Sequence, residues 1–252
     1  MKAKVSGTKK KINGTTFLLM ITILLFVVMY AAGMIVFNDK GFAKPQMFLN
    51  LFISNAGLLV IAMGETIVMI TAGIDISVGS VTALVCMVAA NQMENHGASA
   101  YTALLMALVI GLLFGLVQGF LVSYLEIQPF IVTLAGMFFA RGMTTIVHTD
   151  PFNVQNKAFV ALKDTRVIVP GMGSVNRIGK YVDAYVEIGV IVALLIVVLM
   201  FVMLRWSKLG RAFYAVGGNK QSALMLGINV KRTRFLAQLF SGVLAGIAGY
   251  VY

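Results

Sequence analysis

"FLLMITILLFVVMYAAGMIVF", residues Phe17–Phe37, runs for 21 residues without a charged side chain. A helix rises 1.5 Å per residue, so about 20 apolar residues cross the hydrocarbon core of a bilayer. The apolar core of a secretory signal peptide is shorter, about 7–15 residues, so this stretch reads as an uncleaved membrane helix. The rest of the chain agrees with it. Of the 252 residues 60% are hydrophobic and only 12% charged, whereas soluble domains average about 45–50% and about 25%. A chain of this size could not hide so much apolar surface from water. Four prolines and one cysteine exclude a collagen-like chain and a disulfide scaffold, and Cys86 has no intrachain partner.

Further spans follow from the same length rule: Leu51–Ile70, a short third from Val78 to Gln92, Tyr101–Tyr124, Pro129–Val147, and Val186–Leu204 within 185–204. A seventh opens near Phe235. The expected fold is therefore all-α: a polytopic helix bundle of six complete spans plus a partial seventh, one of them broken near Gly73–Asp75. The net charge of +11 would suggest nucleic acid in a soluble protein. Its placement decides otherwise. Five lysines lie in Met1–Lys11 and seven cations between Arg205 and Arg234, with no acidic residue in either stretch. Basic segments bordering apolar spans are the signature of a cytoplasmic face. With the basic tail 1–16 inside, spans 17–147 leave the loop 148–184 outside, and the sixth span returns 205–234 to the cytoplasm. The seventh then occupies 235–252.

Small residues mark packing faces. Ala107, Gly111, Gly115, Gly119 and Ser123 recur every four residues, and Gly242, Ala245, Gly246 and Gly249 repeat the pattern near the end. Such stripes let helices approach closely in lipid. They serve packing within the bundle or a contact with a second copy.

Polar residues at membrane depth are costly and mark function or pairing. Glu65 shares a helical face with Ser54, Gly57, Ile61 and Gly64; it either ties two helices together or lines a path. Asp75, in "TAGIDISVGS", follows Gly73, which permits a break. Asp75 then caps the next helix by accepting a hydrogen bond near Val78, lines a translocation path beside a broken helix, or does both. Gln118 sits beside the glycine stripe, and Arg141 either snorkels outward or lines the path. Together with Asn55 and Thr133 these residues form the candidate substrate path. His96 and His148 lack companions at metal-ligand spacing, so neither a metal nor another cofactor is expected. Gly179–Lys180 lacks the rest of a phosphate loop, so the chain is not expected to hydrolyse ATP.

In the segment 205–234, Asn219 is placed to cap a short helix Lys220–Leu226 and Gly227 to end it. Ala223, Leu224 and Leu226 give that helix an apolar side, suited to the bilayer surface or to a cytoplasmic partner.

Four motifs in order resemble the permease subunits of ATP-binding-cassette importers for simple sugars, the ribose, galactose and xylose type. They are "GIDISVGS" (Gly73–Ser80), "GFLV…QPFIVTL" (Gly119–Leu134), "FFARG" ending at Gly142, and "GRAFYAVGGN…GINV" (Gly210–Val230). "TLAGMFFARG" is most similar to galactofuranose-type permeases. The resemblance implies a pair of permeases, identical or homologous, with cytoplasmic ATPase subunits and an extracytoplasmic sugar-binding protein in a bacterial inner membrane. It also implies an ATPase-coupling loop containing Gly210, Arg211, Gly217, Gly218, Asn219 and Gly227. Family members continue through further spans, so the resemblance implies that this chain is short at its C-terminus. The expected function is sugar import. The alternatives are an ion-coupled secondary transporter, with Glu65 and Asp75 as its protonatable groups, and a truncated, non-transporting remnant.

Overall fold

The computed structural model describes residues 14–149, 152–175 and 180–252. The lysines of the expected basic tail lie outside the described residues. The chain is mostly helical. Helix α1 (Gly14–Val36) is followed by a short 3-10 turn, then α2 (Pro45–Ser54), α3 (Ala56–Ile70), α4 (Val78–Asn95), α5 (Ala100–Ser123) and α6 (Pro129–Val147). A short α7 (Lys157–Lys163) and strands β1 (Arg166–Val175) and β2 (Tyr181–Glu187) come next. Helices α8 (Ile188–Trp206), α9 (Lys208–Gly218), α10 (Lys220–Met225) and α11 (Val230–Val251) complete the described chain.

Among the described residues five helices, α1, α5, α6, α8 and α11, are long and apolar enough to cross a membrane, and α2 with α3 makes a sixth if the bent pair is one span. The expected count of six spans and a partial seventh is more than these helices show, and the expected bounds shift. Helix α4, expected as the short third span, ends in Asn91, Gln92, Glu94 and Asn95, which dilute its apolar character. The expected span Leu51–Ile70 begins earlier, at Pro45, and bends by 52°. The bend falls at Asn55, whose side-chain amide donates to the carbonyl of Leu51 at 2.7 Å, a local bond that competes with regular helix. The last helix begins earlier than the expected Phe235. It starts at Val230, where the Asn229 side chain accepts from the amide of Arg232 at 2.9 Å, and runs for 22 residues.

The chain is not purely α either. Strands β1 and β2 pair antiparallel, with Val167 opposite Val186 and Val169 opposite Ala184. The β-branched and aromatic residues of both arms suit a pleated surface. The register slips between Val169 and Ser174, where Pro170 has no amide to give the ladder and Gly171 has φ +83°. The stretch Val169–Ser174 is thus a bulge inside the hairpin, which the expected external loop 148–184 did not include.

The two small-residue stripes pack against each other. A Cβ on Gly111 would come within 2.9 Å of the Gly246 Cα, and one on Gly242 within 2.6 Å of the Gly115 amide nitrogen. Backbones this close leave room for nothing larger than hydrogen. Helix α11 is thus the central post. It buries Ala237, Leu244, Ala245 and Ala248 against α3, α4 and α5, and α8 closes the α3 side through Val190, Ala193 and Ile196. Helix α1 stands outside, touching the rest through Tyr30 on Phe42 and Phe48.

The bundle has two distinct ends. At one, Gln155 donates its amide to Glu94, Tyr250 donates to the Ala100 carbonyl, and Gln46 of α2 exchanges two hydrogen bonds with Tyr185 of β2. At the other, α9 and α10 gather beneath the ends of α3, α5 and α8 and the starts of α6 and α11. Lys231 meets Glu126 there at 3.2 Å.

Candidate functional site

Between α3 and α4 the chain runs irregularly from Thr71 to Ser77, so the break expected near Gly73–Asp75 is present. Its chemistry differs from expectation. The left-handed residue is Ala72, at φ +56°, not Gly73. Gly73 is needed for close approach instead, since a Cβ there would lie 3.0 Å from a Val68 methyl and 3.2 Å from the Val68 carbonyl.

Asp75 is buried at this break and fully engaged. One carboxylate oxygen accepts from the Ser77 amide at 3.0 Å and the Ser77 hydroxyl at 2.6 Å. The other accepts from Gln238 Nε2 at 2.8 Å and Ser241 Oγ at 2.9 Å. Gln118 completes the knot, giving its amide to Ser77 Oγ at 2.9 Å and accepting from Gln238 at 3.1 Å. The irregular segment, α5 and α11 are thereby joined at one carboxylate. Asp75 accepts near Val78 as expected, from the Ser77 amide, but the residue at the N-cap position is Ser77, which Asp75 holds in a side-chain turn. Among the described residues no cation pairs with Asp75.

Glu65 lies beside the knot. One of its oxygens accepts from the Asp75 amide at 3.4 Å, and Oε2 is buried without a partner. The face it was read with does turn inward over Gly57 and Gly64. A Cβ on Gly57 would strike the Tyr252 ring, and one on Gly64 would lie 3.1 Å from the Ser241 Cα. Ser54 lies beyond the bend and is exposed.

The expected path residues divide. Glu65, Asp75 and Gln118 come together; Asn55, Thr133 and Arg141 do not join them. Asn55 is exposed at the α2–α3 bend. Thr133 is wholly buried, its hydroxyl given to the Pro129 carbonyl at 2.8 Å. Arg141 stands on the open face of α6 and donates from Nε to Ser80 of α4 at 3.3 Å. Here α4 and α6 enclose an open cavity of about 510 Å³ with Thr144 and Thr145 on its wall. Both threonines donate to their own helix, at the Ala140 and Arg141 carbonyls, which leaves oxygen lone pairs and a guanidinium for a ligand.

Sequence reading missed Ser77, Gln238 and Ser241, and also Gly136, where a Cβ would fall on the Gln118 amide. A signal existed for α11: Gln238 and Ser241 stand three apart, on one face of an otherwise apolar helix.

Before the start of α11 the segment 205–234 forms two helices, α9 and α10. The cap expected at Asn219 is present, accepting from the Ser222 amide at 2.9 Å. The stop at Gly227 is present too, with φ +75°. The Ile228 amide reaches the Ala223 carbonyl and the Gly227 amide the Leu224 carbonyl, both at 3.0 Å, a Schellman end. Ala223 turns inward onto Val216 and Val230, while Met225 and Leu226 project, 88% and 76% exposed. Gly217 and Gly218 both end α9 in ordinary helical conformation. Gly217 is required because a Cβ would collide with the Ile70 carbonyl, whereas Gly218 has open space. At Gly210 a Cβ would come within 2.6 Å of Leu204, so the α8–α9 corner needs glycine, and Arg211 holds that corner by donating to the Trp206 carbonyl at 3.2 Å.

Glu126 is exposed between α5 and α6 with φ +55°. The hydrogen bond from Lys231, then the charges of Lys231, Lys220 and Arg234, hold its carboxyl below the ordinary range.

Residues 47–252 match the family described as branched-chain amino acid transport system / permease component. Among curated proteins, the chain is 33% identical to the fructose import permease protein FruG of Bifidobacterium longum, over 99% of this chain and 72% of that protein. It is 35% identical to the inner membrane ABC transporter permease protein YjfF of Escherichia coli, over 93% of this chain and 67% of the relative. The D-allose transport system permease protein AlsC of the same species is 30% identical, over 94% and 66%. The chain thus spans about two thirds of the length of these relatives. No solved structure matches.

Proposed function

The chain belongs to the branched-chain amino acid transport system permease family, and from that premise we propose that it is the membrane-spanning subunit of an ATP-driven importer that carries a simple sugar. It is a multi-pass membrane protein. The observation that carries the sugar is the match along nearly the whole chain to permeases named for fructose and D-allose.

In this reading the α9–α10 end is cytoplasmic, in keeping with its seven cations and the positive-inside rule. The β-hairpin end faces the sugar-binding protein outside, in a bacterial inner membrane. The N-terminus is cytoplasmic, and α4 makes the third pass despite its polar last turn, because it runs from the knot at Asp75 to the end where Glu94 meets Gln155. The sugar moves between two permease copies along the cavity of Ser80, Arg141, Thr144 and Thr145. Its neutral hydroxyls both donate and accept, which matches a wall of hydroxyl lone pairs and one guanidinium without ionic trapping. The Asp75 knot keeps the broken segment in place beside that wall.

Coupling to the cytoplasmic ATPase subunits runs through α10. Its cap at Asn219 and its Schellman end at Gly227 hold a six-residue helix rigid, so that Leu224, Met225 and Leu226 are presented outward. The test is co-purification. Met225→Asp with Leu226→Asp should leave the permease inserted and folded but lose the ATPase subunit from a pull-down. Retention of the ATPase by that variant would remove α10 from the interface.

A further inference from the structure

At the same end of the bundle, a cavity of about 740 Å³ opens between the α5–α6 turn, α10 and the first turn of α11. Three cations converge on it, Lys220, Lys231 and Arg234, against the single carboxylate of Glu126. Lys231 is engaged by Glu126, which leaves the cavity with net positive charge. Its wall also includes Ser123, the last residue of the α5 stripe. Ser123 is 3% exposed, and its hydroxyl has no hydrogen-bond partner, although buried hydroxyls are ordinarily satisfied. The hydroxyl itself is closed off from the cavity, so the site's ligand chemistry rests on the cations, whose net positive wall fits an anion.

The remaining wall is apolar, with Val122, Ile127, Leu224 and Ile228. Just outside, Phe130 and Ile131 of α6 are half or more exposed, as befits a lipid-facing surface. A free anion would gain nothing from this apolar rim, whereas a lipid has both a phosphate and a chain. We propose that this cavity binds the phosphate of an anionic phospholipid headgroup, with Lys220 and Arg234 as its ionic partners. Basic pockets between membrane helices at the cytoplasmic leaflet suit such headgroups. The cytoplasmic placement rests on the proposed function, but the binding chemistry does not. Because α10 forms one wall, an occupied site would brace the helix that presents Met225 and Leu226.

The test uses the purified protein in neutral detergent, with lipid binding followed by native mass spectrometry. Phosphatidylglycerol should bind with a defined stoichiometry and phosphatidylcholine much more weakly. Lys220→Gln with Arg234→Gln should raise the Kd for phosphatidylglycerol roughly thirtyfold. Arg205→Gln with Lys208→Gln removes as much charge from the same end and should leave the Kd unchanged. If the double variant does not fold, Lys220→Gln alone should show about a fivefold rise. Equal loss in the Arg205/Lys208 variant, or no loss in the cavity variants, would overturn the site. Inorganic phosphate competing at the concentration of the lipid would overturn the lipid as its source. A protein that binds phosphatidylglycerol here but carries no sugar would refute the transport reading and leave this site standing.

Discussion

Replacing Asp75 separates the roles of its shape and its hydrogen bonds. Asp75→Leu removes the acceptor for four donors: the Ser77 amide, the Ser77 hydroxyl, Gln238 Nε2 and Ser241 Oγ. Two of them have somewhere to go. The Ser77 hydroxyl lies 3.1 Å from Gln118 Oε1, and Gln238 already reaches the same oxygen at 3.1 Å. The Ser77 amide and the Ser241 hydroxyl are left stranded in a buried site. At about 1–3 kcal/mol for each buried unsatisfied group, the loss comes to about 2–6 kcal/mol. Asp75→Asn keeps one oxygen for Ser77 and sets an amide against Gln238 and Ser241. The Ser241 hydroxyl can turn to accept from it, and the amide carries no charge to desolvate, so the cost falls to about 1–2 kcal/mol. The assay is the thermal midpoint of detergent-solubilised protein together with its level in the membrane. The expected order is wild type, then Asp75→Asn slightly below, then Asp75→Leu far below. Gln238→Leu added to Asp75→Leu should cost less than the sum of the two, because the pair shares one bond. A wild-type midpoint for Asp75→Leu would refute the knot as a structural element. Loss of uptake in Asp75→Asn at normal abundance would show that the charge does more than hold helices.

The packing of α5 on α11 predicts that Gly111→Leu or Gly242→Leu abolishes folded protein, as read by size-exclusion chromatography, while Gly142→Ala, with no neighbour within 4 Å, folds normally. Gly217→Ala should loosen α9 from the end of α3 and lower the thermal midpoint, whereas Gly218→Ala should leave it unchanged. In a Cys86→Ser background, a cysteine at Asn153 should react with an impermeant thiol reagent in intact cells and one at Asn219 should not; reversed labelling would invert the assigned sides of the bundle.

What the sequence disclosed was decided within single helices. The apolar runs, the two small-residue stripes, the Asn219 cap and the Gly227 stop are all local patterns, and each has its counterpart in the structure. The chain hid what depends on which helices meet. Asp75 finds Gln238 and Ser241 more than 160 residues away, and no periodicity links them. Likewise nothing local marks that Gly217 must clear the Ile70 carbonyl or that Gly136 must clear the Gln118 amide. The hairpin escaped because Pro170 and Gly171 interrupt the run of β-branched residues, which pair across a bulge. Asn55 fell among the path residues because an amide within an apolar run looks functional; it marks a bend.

The central claim is that this permease moves a sugar at the expense of ATP. Proteoliposomes holding the permease with its ATPase subunits should be loaded with ATP on the ATPase side and given the binding protein with radiolabelled sugar on the other. The account predicts accumulation that requires ATP and the binding protein, persists when a protonophore collapses the proton gradient, and falls when Arg141 is replaced by Leu at unchanged abundance. Uptake that ignores ATP and stops with the protonophore would contradict it and turn attention to Glu65, whose buried Oε2 has no partner, as a proton-carrying group.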